Sequence, residues 1–318
     1  MNNNIEKTFK VLIELPTWLG DSVMTTPAIE NIINFYNNID ITFIGSYSSI
    51  EVFKKHPKAS KTVILSSKIK SLYFFYTELG FFDVYFSFRG SIRAKLTKLT
   101  IKAEKKYQFN HKNYPDRHQV EKYVDFVNHS LSSNYPAGNL INHFDISKNK
   151  KSSRLLGINP GASYGSAKRW YPEKFAKIAI ALSDQFDIVI FGGAKEQYFA
   201  KQIENLLLNN NIHNYRNLAG KTSISELTKY ISDLDIFLTG DSGPMHLAAS
   251  LNVPTIAIFG PTNSLETSQW KNSKSIIIKK ELDCQPCMKR TCPLHHHNCM
   301  KLIEAEEIIK SIPLIVQT

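Results

Sequence analysis

Residues 235–261 read Asp-Ile-Phe-Leu-Thr-Gly-Asp-Ser-Gly-Pro-Met-His-Leu-Ala-Ala-Ser-Leu-Asn-Val-Pro-Thr-Ile-Ala-Ile-Phe-Gly-Pro, and this stretch decides the fold class. Ile236 to Leu238 is a short apolar run of strand type. Gly240 to Gly243 break it, and Pro244 stands where a helix takes its first residue. Met245 to Leu251 continue as a helix, and Thr255 to Phe259 form a second apolar strand. Strand, polar turn, helix, strand is the repeating unit of a parallel α/β sheet. The helix points free backbone N–H groups and its positive dipole end at whatever lies above the sheet. Asp241, Ser242 and His246 stand at that mouth, a place for a phosphate beside polar groups.

The alternation extends outward. Lys10–Leu15 reads as a strand, the turn Pro16–Ser22 follows, and a helix runs through Tyr36. Ile41–Ile44, Thr62–Leu65 and Val84–Phe88 read as strands, with helices over Ser49–Lys55, Ile69–Leu79, Ser91–Lys98 and Gln119–Leu131. The polar stretch Asn134–Arg154 reads as a linker. Leu155–Ile158 restarts the pattern, and Pro172–Gln185, Ile188–Phe191, Lys195–Leu208 and Ser223–Leu234 continue it. Two doubly wound Rossmann-like domains are expected, over 1–150 and 151–318, with ligand between the carboxyl ends of facing sheets. A closing helix, Ala305–Ile312, is expected to pack back on the N-terminal domain.

The bulk numbers fit such an organisation. The chain has 318 residues, long enough for two cores. Its hydrophobic fraction of 42% and aromatic fraction of 11% belong to a globular protein. A net charge of +11 calls for an anionic partner: nucleic acid, a membrane surface or a phosphorylated substrate. Met1–Lys10 is polar with no apolar h-region of a secretory signal after it, and the apolar runs are strand-length, so a cytoplasmic protein is expected.

Polar residues gather at the strand-end turns. Asp21 in Gly20-Asp21-Ser22 reads either as a helix N-cap or as a cleft-facing carboxylate able to take a proton. The small residues of Gly161–Ala167 would let a phosphate approach the backbone, with Lys168 supplying charge, or form a solvated turn. The spacing is not that of a P-loop. Glu196, after Gly192-Gly193, reads as a ribose-binding carboxylate or as a first-turn residue complementing a helix dipole. Cys284, Cys287, Cys292 and Cys299 form one cluster containing His295–His297; buried thiols, a disulfide or a structural zinc all remain open. Arg89, Arg93, Lys95, Lys98, Lys102, Lys105 and Lys106 form a basic run, either a solvated face or, for Arg89 and Arg93, part of a cleft mouth.

Taken together, these turns resemble glycosyltransferase family 9, the bacterial lipopolysaccharide heptosyltransferases of GT-B fold. The resemblance rests on Gly240–Ala249, on Asn159–Ala162 with Ala167–Trp170, and on Pro16–Asp21; Cys284-Gln285-Pro286-Cys287 is similar to the members that add a second heptose. The resemblance implies an inverting transfer from ADP-L-glycero-β-D-manno-heptose to the lipopolysaccharide inner core (Kdo and heptose on lipid A). It implies a C-terminal donor domain, an N-terminal acceptor domain, no required cofactor or metal, and peripheral attachment to the inner leaflet. By position it implies a catalytic base at Asp21. Donor contacts are implied at Ser163, Lys168, Glu196, Thr222, Asp241, Ser242, Gly243 and His246. Arg89 and Arg93 are the candidates for the anionic acceptor. Three rivals remain: a first-heptose enzyme, another GT-B enzyme with different sugars, and a basic nucleic-acid-binding protein. The last lacks an RNA-stacking aromatic motif, and a dehydrogenase lacks G-x-G-x-x-G after the first strand.

Overall fold

The computed structural model describes residues 8–65, 78–146 and 153–316. The chain divides into two compact units between His143 and Phe144, a little before the expected boundary at 150/151.

The N-terminal unit is built on strands β1 (Phe9–Glu14), β2 (Ile39–Gly45), β3 (Ala59–Ile64), β4 (Phe81–Ser87) and β5 (Lys102–Gln108). They lie in the order β3-β2-β1-β4-β5, every neighbour parallel. Val11, Leu12, Ile13, Phe43 and Phe86 are fully buried, as expected of central strands covered on both faces. The sheet reverses direction between β1 and β4, so the crevice outside their carboxyl ends is the topological switch point.

Two features of this unit depart from the sequence reading. The segment read as one helix to Tyr36 is two, Leu19–Met24 and Thr26–Tyr36. Pro27, near the start of the second helix, has no N–H to continue the first ladder. The basic run contains a strand, β5, in which Lys102 and Lys105 are exposed. Lysines are common on edge strands, where they discourage further pairing, and they hide the apolar alternation that identifies a strand. The helix expected over Ile69–Leu79 falls largely outside the described residues.

The C-terminal unit carries β6 (Leu155–Asn159), β7 (Asp187–Ile190), β8 (Tyr215–Asn217), β9 (Ile236–Gly240), β10 (Thr255–Phe259) and β11 (Ser275–Lys279). Their order is β11-β10-β9-β6-β7-β8, again all parallel, the doubly wound dinucleotide-fold order with its switch point between β6 and β9. β8 and β11 are short edge strands that the sequence did not disclose. The closing helix is Ala305–Val316. Ala305, Ile308, Ile312 and Ile315 recur at helical spacing and are buried in the C-terminal unit's own core beside Trp170, Phe175 and Ile256. That apolar stripe is satisfied within its own unit. Among the described residues no helix is long and apolar enough to cross a membrane.

The last residue of the N-terminal unit is tied into it by a buried polar cluster. His56 Nε2 lies 3.2 Å from Glu30 Oε1, and His143 Nε2 lies 3.8 Å from the same oxygen. The Lys58 N–H donates to His56 Nδ1 at 3.1 Å. The ring proton therefore sits on Nε2 and is donated to Glu30, so that nitrogen has no lone pair to offer a metal. The facing imidazoles of His143 and His56 hold the Glu30 carboxyl down to about 2. A carboxyl lowered on folding contributes stability that is complete above its ordinary value of 4.5 and is lost as pH falls towards about 2. Glu30→Gln is accordingly expected to be less stable than the parent at pH 7, with the gap narrowing below pH 4.5, as read by urea unfolding at a series of pH values.

Candidate functional site

The carboxyl ends of β6 and β9 carry Ser163, Lys168, Asp241, Ser242 and His246. Asn159 and Thr239 are register partners on the two strands, and Asn159 Nδ2 donates to Thr239 Oγ1 at 3.1 Å. Ser242, the cap of helix Gly243–Ser250, is held by both: its hydroxyl is 3.0 Å from Thr239 Oγ1 and accepts from Asn159 Nδ2 at 3.3 Å. Pro244 lies in the first turn of that helix, where its missing N–H costs nothing. Gly243 opens the helix and His246 is buried one turn in. The short β9 turn therefore presents the N–H end of a helix above the switch point, a ready-made anion site.

Beside it lies a buried ion pair. Lys168 follows the small-residue loop after β6, and its Nζ lies 2.6 Å from Asp241 Oδ2. Asp241 is 5% exposed. Thr262 donates to the same oxygen at 2.6 Å and Thr267 at 3.4 Å. The Tyr164 ring faces the ammonium, 4.7 Å from Nζ to the ring centroid. Ser163, in the same loop, is exposed.

Glu196 reaches this region from the turn after β7. Its carboxylate accepts from the Gly193 N–H at 2.7 Å, the helix-start role weighed in the sequence. It also presses on Gly161: a Cβ there would lie 2.2 Å from Glu196 Cδ, so a larger residue would displace that carboxylate. The helix-start bond and a position against the β6 loop thus coexist. Thr222, half-buried, lies in the loop after β8. That loop is tied to the β7 turn by the Gly220 N–H, which donates to Gly192 O at 2.8 Å.

The cysteine segment forms one wall of this site, which the sequence did not disclose. Tyr164 Oη donates to Met288 O at 2.8 Å, and the Ala167 N–H donates to Arg290 O at 3.0 Å. A Cβ on Gly165 would meet Arg290 O at 2.3 Å, so that close approach requires glycine. On its other side the segment holds the chain after β10: Gln285 Nε2 donates to Gly260 O at 2.6 Å and the Met288 N–H to Pro261 O at 2.8 Å. All four cysteines are free thiols and line one cavity of about 20 Å³ together with His296 and His297. Burial, aided by the neighbouring thiols, pushes Cys299 up to about 11. Among the described residues, three donor atoms close enough for a metal occur at Glu30, His56 and His143, not at the cysteines.

In the N-terminal unit the switch point carries Glu14 and Ser87, the last register partners of β1 and β4. Glu14 is fully buried and accepts from Ser87 Oγ and Tyr85 Oη, both at 2.6 Å, and from an Arg89 guanidinium nitrogen at 3.4 Å. Burial raises its carboxyl above the ordinary value, against the opposing pull of Ser87, Tyr85, Arg89 and Arg93. Arg93 sits half-buried in helix Ile92–Thr100, close enough for its charge to act on Glu14. Arg89 and Arg93 are thus brought together, but around an internal carboxylate that the sequence reading passed over.

Asp21 lies in the first turn of helix Leu19–Met24, whose cap is Trp18. The N-cap reading of Asp21 is therefore overturned. The residue is half-buried, and its charge reaches Tyr123, whose hydroxyl is pushed well above its usual range first by burial and then by Asp21.

Comparison with known proteins identifies the architecture and the family. The chain superposes on a family 9 glycosyl transferase from Veillonella parvula with a TM-score of 0.80 at 20% identity, covering 98% of each chain. It also superposes on the Escherichia coli ADP-heptose lipopolysaccharide heptosyltransferase II with a TM-score of 0.79 at 19% identity, covering 97% of this chain and 98% of that one. At these identities the likeness concerns the fold, which is GT-B. In sequence the chain is 40% identical over 309 residues to lipooligosaccharide heptosyltransferase 2 of Campylobacter jejuni subsp. jejuni serotype O:2, covering 95% of this chain and 96% of the relative. The family model described as glycosyltransferase family 9 (heptosyltransferase) matches residues 92–298. By its full-length relative, its matched family model and its fold, the chain belongs to glycosyltransferase family 9, the heptosyltransferases.

Proposed function

We propose that this glycosyltransferase moves L-glycero-D-manno-heptose from ADP-heptose onto the inner core of lipopolysaccharide or lipooligosaccharide, adding the second heptose to the first, with inversion. The observation that carries the donor half is the pairing of Lys168 with Asp241 beside the N-terminus of helix Gly243–Ser250. The second-heptose assignment rests on the full-length relative named heptosyltransferase 2. The ADP-heptose donor draws support from the fold relative described by that substrate.

Chemistry assigns the roles. Breaking the bond from the anomeric carbon to the ADP oxygen leaves negative charge on the diphosphate. Lys168 and the N–H groups of Ser242 and Gly243 are the groups for that charge, fixed before the reaction starts. Ser163 lies in the same loop as Lys168 and is the added hydroxyl for the phosphates. Asp241 takes the sugar hydroxyls, and His246, one turn into the helix, backs the donor mouth. Glu196 takes the ribose and Thr222 the adenine edge. Asp21 takes the proton from the acceptor hydroxyl as that oxygen attacks the face opposite ADP. One displacement on a β-linked donor yields an α-heptoside. Arg89 and Arg93 face the acceptor's carboxylates and phosphates, with the protein peripheral to the inner leaflet.

Asp21→Ala is expected to lose at least ~10²-fold in turnover while keeping its ADP affinity, since a general base contributes about 10²–10⁴-fold. Single-turnover transfer and calorimetric ADP binding check this; normal turnover would remove Asp21 from the mechanism. For the acceptor, Arg93→Glu is the milder variant, because Arg89 pairs directly with buried Glu14 whereas Arg93 acts on it through its charge. It is expected to raise the apparent KM for a heptose-deficient core acceptor and leave that for ADP-heptose unchanged; equal KM values would remove Arg93 from the acceptor site. Mass analysis of products from ADP-heptose and acceptors of defined length, with UDP- and GDP-sugars in parallel, tests the assignment as a whole. Transfer from UDP- or GDP-sugars in preference would overturn it.

A further inference from the structure

Three donors converge on one oxygen of Asp241. Lys168 Nζ and Thr262 Oγ1 each lie 2.6 Å from Oδ2, and Thr267 Oγ1 lies 3.4 Å from it. None of them uses Oδ1. Asp241 and Thr262 are both buried, 5% and 8% exposed. A buried carboxylate that loses its cation is strongly disfavoured unless other donors remain. Under the function proposed above, Lys168 has a second anion to serve, the diphosphate. When its ammonium turns to that charge, Asp241 keeps the two threonine hydroxyls.

We infer that Thr262, with Thr267 behind it, is a positioning residue. It holds Asp241 in one orientation while Lys168 changes partner, leaving Oδ1 for the hydroxyls of the donor sugar. The backbone around Thr262 is itself fixed. Gly260 O accepts from Gln285 Nε2 at 2.6 Å and Pro261 O from the Met288 N–H at 2.8 Å. The hydroxyl thus approaches Asp241 from a rigid segment after β10, on a different element from Lys168, and does not move with the lysine. The role belongs to the sugar end of the donor, not the nucleotide end.

That division is testable, and the inference rests on the reading of Asp241 as the sugar-binding carboxylate. Thr262→Val keeps the shape and removes the hydroxyl; Thr262→Ser keeps the hydroxyl. Thr262→Val is expected to lower kcat for transfer from ADP-heptose by about 10-fold or more, the scale of a lost hydrogen bond to a charged group. Its ADP affinity stays within about 2-fold of the parent, so the preference for ADP-heptose over ADP shrinks. Thr262→Ser restores transfer. Parental transfer by Thr262→Val overturns the inference. So does an equal weakening of ADP and ADP-heptose that serine does not repair, which marks a packing role. Asp241→Ala separates the two levels. If it transfers normally, the reading of the site falls and takes the inference with it. If it is inactive while Thr262→Val is normal, the inference alone falls.

Discussion

The C-terminal unit is organised around a half-buried ammonium 2.6 Å from a buried carboxylate, Lys168 and Asp241. Neither charge is tolerated in such a place alone. Their pairing fixes where the loop after β6 must end and where the turn after β9 must begin. The threonines after β10 complete the carboxylate's donors, and the Tyr164 ring faces the ammonium. Three successive strand ends of one sheet thus meet at a single pair. Asp241 is thus held by donors from two loops, with the N-terminus of helix Gly243–Ser250 beside it.

Both units solve the switch-point problem in the same way. In each sheet the last register pair across the switch is polar and hydrogen-bonded: Asn159 with Thr239 in one, Glu14 with Ser87 in the other. Parallel strands leave their final carbonyls and N–H groups facing the crevice, and polar side chains there keep the ends apart and oriented. The pairs differ in charge. The neutral pair fixes Ser242 at a helix N-terminus, leaving that positive dipole end for an anion. The charged pair draws Arg89 inward, so part of that unit's positive charge is spent on its own carboxylate.

The polar turns of the C-terminal unit were legible in the sequence because their chemistry is local. Gly240 to Pro244 break a strand and start a helix within five residues, and nothing distant is needed to see it. The two-unit α/β pattern followed from the same periodicity. What escaped depends on partners far along the chain. Thr262 is an ordinary residue after a strand until Asp241, from another strand end, is placed against it. Glu14 looks like the polar end of an apolar run until Tyr85 and Ser87 close over it. β5 was hidden by lysines that suit an edge, and Asp21 looked like a cap because the true cap, Trp18, makes no side-chain bond to show it.

The cysteine segment shows why a conspicuous motif can mislead. Four thiols in a short span draw attention to sulfur, yet the contacts that tie this segment to the loops around Asp241 run largely through its backbone. Its carbonyls at Met288 and Arg290 receive Tyr164 and the N–H of Ala167, and its own N–H at Met288 binds Pro261. The segment therefore bridges the loop that carries Lys168 and the loop that carries Thr262. The thiols line a small cavity with Ala167, Pro261 and His297, whose Nε2 lies 2.9 Å from Ala167 O. These backbone contacts give the two loops a common support. The distance between Lys168 and Thr262, and so the geometry at Asp241, depends on that support.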